Sequence, residues 1–120
     1  MLDRDSLHRL MECMLVVSHS DGIDDEEMAL ISRVFDAVWE GDADELHELI
    51  SKTSEIVSEH HGKGTMDKFF DESALALGRG VDDKIKGLCQ NLMMKLIKAD
   101  NRITGEETEL FIRFKQKLYE

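Results

Sequence analysis

Five carboxylates offer this chain its clearest chance of doing chemistry. Asp21, Asp24 and Glu27 lie in the segment Ser20-Asp21-Gly22-Ile23-Asp24-Asp25-Glu26-Glu27, and Asp100 and Glu107 lie in Ala99-Asp100-Asn101-Arg102-Ile103-Thr104-Gly105-Glu106-Glu107. Carboxylate oxygens are hard ligands, so the chemistry open to them is the binding of a divalent cation such as calcium, magnesium or manganese. The two segments are alike in detail. Aligned on their second halves, Ile23 matches Ile103, Asp24 matches Thr104 and Glu27 matches Glu107. Aligned on their first halves, Asp21 matches Asp100 and Gly22 matches Asn101, which leaves Arg102 without a counterpart and the first turn one residue shorter.

Local structure accounts for much of this pattern. Gly22 and Asn101 are residues that readily take the left-handed conformation ending a helix. Ile23 and Ile103 sit where an apolar side chain staples the next helix to its surroundings. Asp25, Glu26 and Glu27 fall in a first helical turn, where the macrodipole favours each acid by ~0.3–1 kcal/mol. Asp21 and Asp100 are different, because each falls at the carboxyl end of the preceding helix, where negative charge is disfavoured. Two offsets are open to them: an Asx-type hydrogen bond to the turn backbone, or a bound cation. His19 is the histidine placed to join Asp21, and as a last-turn residue it also suits the helix dipole.

Other site chemistries fail on residue type. In an EF-hand register Asp100, Asn101, Ile103 and Glu107 take positions five, six, eight and twelve, but positions one and three are Leu96 and Lys98, which offer no carboxylate. A di-iron bundle needs inward Glu-x-x-His pairs; Asp5-x-x-His8 and Asp44-x-x-His47 come nearest, beside leucines. His60-His61 reads as a solvated helix end, Met93-Met94 as core and Trp39 as a packing residue at a helix end. Gly78-Arg79-Gly80 has neither the preceding strand nor the lysine of a phosphate loop. No nucleophile–base pair is present, so an enzyme is not expected.

Helices must position these residues. Proline is absent and alternating strand patterns are missing, while apolar residues recur at helical spacing almost throughout. Leu7, Leu10, Met11, Met14 and Leu15 mark one face of a helix over about 4–20. Met28, Ile31, Val34, Phe35, Val38 and Trp39 mark a second over about 25–40, and Leu46, Leu49, Ile50, Ile56 and Val57 a third over about 43–60. Met66, Phe69, Phe70, Ala74 and Leu77 mark a shorter fourth; Ile85, Leu88, Cys89, Leu92, Met93 and Leu96 a fifth; Leu110, Phe111, Phe114 and Leu118 a sixth. Asp24 with Glu27, Asp42 with Glu45, and Thr104 with Glu107 each fit a capping box. Breaks are expected at Gly41, at residues 61–64 and at Gly78-Arg79-Gly80. The expected fold is all-α, a compact bundle of about six helices with two pseudo-repeated helix–acidic turn–helix units, forming one domain over residues 1–120.

The formal net charge of −11 narrows the partners. Residues 1–79 carry 7 basic against 19 acidic side chains, whereas residues 80–120 are close to balanced. Such a surface repels phosphate backbones and anionic headgroups, so the expectation is no nucleic acid and no membrane surface, but cations or basic proteins. No apolar run is long enough to span a bilayer. Cys13 and Cys89 fall on apolar stripes and read as buried thiols of a reducing compartment, so a cytoplasmic location is expected.

The turn pattern A/S-D-G-x-I-x-x-x-E, found once near each end of a short acidic helical chain, resembles the TerB family of tellurite-resistance proteins. The matching residues are Asp21, Gly22 and Glu27 in the first unit and Asp100, Ile103 and Glu107 in the second. The departures are Ser20 for alanine, Asn101 for glycine and the shortened first turn. The resemblance implies a bacterial cytoplasmic helical protein of tellurite and chemical-stress responses, a divalent-metal role for the clustered acids, and a partner in a membrane-associated complex. Two functions follow: a stress-response module whose turns hold a metal ion, or a metal-free acidic adaptor that docks a basic protein.

Overall fold

The computed structural model describes residues 3–19, 25–98 and 104–120 and, for residues 25–27, the backbone alone. The described residues form six helices and no strand: α1 (Arg4–His19), α2 (Asp25–Val38), α3 (Ala43–Lys63), α4 (Met66–Gly80), α5 (Asp83–Ile97) and α6 (Gly105–Leu118). The chain is all-α, as its periodicity predicts. Its radius of gyration, 13.1 Å, lies just below the ~13.6 Å typical of a folded chain of this length.

The helix ends follow from identifiable side chains. Asp3 accepts the Ser6 N–H at 2.8 Å at the start of α1, and this bond holds the Asp3 carboxyl below its ordinary range. Thr104 and Glu107 form the expected reciprocal capping box on α6. Asp42 caps α3 by accepting from Asp44 N–H at 3.1 Å, but the reciprocal half of its expected box is not made. Glu45 instead accepts from Arg4 Nη1 at 2.8 Å, a bond made stronger by the charge on both partners. Arg4 is also held at 4.8 Å from the ring centroid of Trp39, which lies just past α2 and is half-buried.

Two expected breaks fall within their segments, each at its far end. α3 runs through Gly62 and ends on Gly64, whose φ of +72° is the left-handed turn. There Gly64 N–H donates to the His61 carbonyl and Thr65 N–H to the His60 carbonyl, the paired bonds of a Schellman ending. α4 ends at Gly80, the last residue of the expected Gly78-Arg79-Gly80 break; Gly78 itself is buried inside the helix, and a Cβ there would collide with the Leu118 backbone at the end of α6. α2 ends at Val38, two residues earlier than expected, although Trp39 N–H still reaches the Phe35 carbonyl at 2.8 Å.

α1 organises the core. It packs against each of the other five helices, most extensively α4, and α4 in turn packs on α6. From Leu10 to Ser18 every residue of α1 is buried, including Cys13, as expected, and Val16 and Val17 beyond the expected stripe. The run of residues 13–17 is apolar on every side, and such a stretch belongs in an interior. Two of the helix's buried polar residues are paired: Glu12 accepts from Arg9 Nη1 and from Ser73 Oγ, both at 3.2 Å, and Ser18 Oγ donates to the Met14 carbonyl. All six helices contribute to one hydrophobic cluster, with Phe35, Phe70 and Phe114 among its largest fully buried members. Cys13 and Cys89 are buried free thiols, as expected. Burial pushes the Cys13 thiol well up and raises Cys89 to about 11. Val38, Ile56 and Leu88 depart from their expected core positions and are exposed, while Thr53 and Ser73 are buried.

Candidate functional site

Among the carboxylates singled out by the sequence, Asp21, Asp24 and Asp100 lie outside the described residues, as does the side chain of Glu27, whose backbone is in α2. Glu107 is described. Its side chain is only 1% exposed, and its Oε1 accepts from Thr104 N–H at 3.2 Å and from Thr104 Oγ1 at 3.3 Å. One oxygen of that carboxylate is thus engaged at the α6 cap. Among the described residues no group of three or more His, Cys, Asp or Glu side chains is placed to hold a metal ion.

The histidines are spread through the bundle. His8 Nε2 meets Thr53 Oγ1 at 3.3 Å, and that hydroxyl donates to the Leu49 carbonyl. His60 stacks on Phe69 with ring centroids 4.4 Å apart, and its Nδ1 lies 2.7 Å from Thr65 Oγ1, so it braces the turn between α3 and α4. His19, at the end of α1, has its Nε2 buried with no hydrogen-bond partner among the described residues. Burial lowers its pKa from the ordinary value of 6.5, and the charge of His61 lowers it further.

A cleft opens where α1, α3, α4 and α6 meet, with a volume of about 320 Å³. Its apolar lining comes from Val16, which is buried, and from Met66 and Leu110, which are half-buried. Its polar lining comes from His61, Asp67, Glu106, Glu109 and Arg113. Helix geometry explains the acids: Glu106 and Glu109 are three residues apart and share one face of α6, while Glu107 between them turns inward to the cap. Glu106 stands in the first turn, where the macrodipole favours it.

The arginine in this cleft is already engaged. Arg113 Nη2 and Nε donate to the two Asp71 oxygens at 2.6 and 3.2 Å, and Nη1 lies 3.3 Å from Asp67 Oδ1. The two-point bond to Asp71 raises the Arg113 pKa and straps α6 to α4. Glu106 and Glu109 make no ion pair among the described residues. The cleft therefore combines apolar surface with acids that no described basic side chain pairs, a combination suited to a cation on an apolar stem. Sequence spacing alone does not reveal it. Asp67 and Asp71 are four residues apart on α4, a visible signal of an acidic face, but their partner Arg113 is on another helix.

No protein-family model, no curated protein and no solved structure matches this chain. No helix among the described residues is long and apolar enough to cross a membrane.

Proposed function

We propose that this chain is a TerB-like acidic module of a bacterial cytoplasmic response to tellurite and other chemical stress, and that it docks a basic protein partner without catalysing a reaction. The family part of this reading rests on the two turn sequences. The docking part rests on one observation: exposed acids stand without basic partners among the described residues. On α3 these are Asp44, Glu55 and Glu59, and on α6 Glu106 and Glu109, whereas Glu45 and Glu48 are paired with Arg4 and Lys52. Uncompensated charge of one sign steers and selects partners of the other.

Octalysine is a suitable probe of the docking reading. It is expected to bind the purified chain at low salt and to be released as sodium chloride rises past the point where screening shortens to a few ångströms. Failure of octalysine to bind at low salt removes the docking reading. The metal reading, with Asp21, Asp24, Glu27, Asp100 and Glu107 as ligands, makes a different demand. A cation at 100 times its dissociation constant stabilises by ~2.7 kcal/mol, enough to move a melting temperature by several degrees. Calcium, magnesium and manganese are each expected to leave the melt unchanged; a rise with any of them restores the metal reading.

A further inference from the structure

We propose that the cleft between α4 and α6 receives a single lysine side chain of the partner, a specific anchor that rests on the docking reading above and deepens it. The cleft's volume of about 320 Å³ sits at the small end of ligand pockets, which run from ~300 to ~1,000 Å³. That is room for one extended side chain and too little for a helix, a strand or a folded loop. Val16, Met66 and Leu110 line it with apolar surface, which matches the methylene stem of a lysine. Glu106 and Glu109, one helical turn apart and unpaired among the described residues, face the same space. Two like charges at that spacing repel each other, and an ammonium bound to both removes the repulsion.

The cleft's own cation does not satisfy them, because Arg113 is held by Asp71 and Asp67. Lysine fits better than arginine on the same geometry. A guanidinium gains most from a single carboxylate met edge-on through two bonds, as Arg113 meets Asp71. A compact ammonium, with three freely rotating donors, suits two separate carboxylates from consecutive turns of a helix.

The test uses the full chain with octalysine, octaarginine and fully acetylated octalysine, read by calorimetry at low salt. Glu106→Gln/Glu109→Gln is compared with Glu55→Gln/Glu59→Gln, which removes the same charge from α3. Octalysine is expected to lose affinity roughly tenfold with the α6 pair and no more than about threefold with the α3 pair. A second readout is independent of the variants. In the wild-type chain carrying ¹³C-methyl methionine, octalysine is expected to shift the Met66 methyl resonance more than any other, and acetylated octalysine to leave it in place. Equal losses from the two variant pairs, or an unmoved Met66 methyl, overturn the anchor while leaving charge-driven docking intact. Octaarginine matching octalysine in both affinity and Met66 shift overturns the preference for lysine.

Discussion

At the scale of single residues, two glycines in helices make opposite predictions from the same substitution. Gly78→Ala places a methyl group against the Leu118 backbone, which cannot yield as a flexible side chain can. Overpacking of that kind costs ~1–3 kcal/mol and outweighs the better helix propensity of alanine. Gly87 on α5 has open space where a Cβ would go, so Gly87→Ala is expected to stabilise by ~0.5–1 kcal/mol. Urea titrations of the two variants check both signs. His19 supplies a pH prediction. Its folded pKa lies below the ordinary 6.5 because burial favours the neutral ring, so its contribution is complete above that value. As the pH falls below 6.5 the unfolded chain takes up the proton first, and stability is lost toward the depressed value. The urea midpoint is expected to fall between about pH 7.5 and about pH 5.5, and to fall less in His19→Gln. Equal slopes would assign the loss to other groups.

At the scale of elements, the capping box isolates the worth of one helix end. Thr104→Ala removes the acceptor for Glu107 N–H and is expected to destabilise by about 1 kcal/mol, measured by the same titration. That box was legible in the sequence because cap and acid are three residues apart and need nothing else. The Asp42–Glu45 box had the same spacing and formed only in part, since Arg4 reaches Glu45 from another helix. Helix positions were legible throughout, because each amphipathic stripe declares its own period. What the stripes conceal is depth: on α1 Val16 and Val17 are buried as well, beyond the stripe of Leu7, Leu10, Met11, Met14 and Leu15. Their apolar character is visible in the sequence, but one stripe does not say that the helix is covered on further sides. The cleft was hidden for a similar reason. Glu106 lies in one of the acidic turn segments and Glu109 follows it on α6, while Met66, Asp67 and His61 come from helices whose approach only tertiary packing decides.

At the scale of the whole molecule, a formal charge of −11 makes self-repulsion a general property of the folded state. Raising sodium chloride from about 20 to about 300 mM is expected to raise the melting temperature as screening shortens; a melt indifferent to salt would mean that the acids are locally balanced. The other global feature is the position of α1. Of the six helices it leaves the ribosome first, yet the surfaces that wrap it belong to helices translated afterwards, the last of them α6. A growing polypeptide that has reached only α3 carries a greasy rod with most of its sheath still to be made. Until the later helices are made, that uncovered apolar surface leaves the nascent chain open to aggregation, so burial of α1 is an act of the whole bundle.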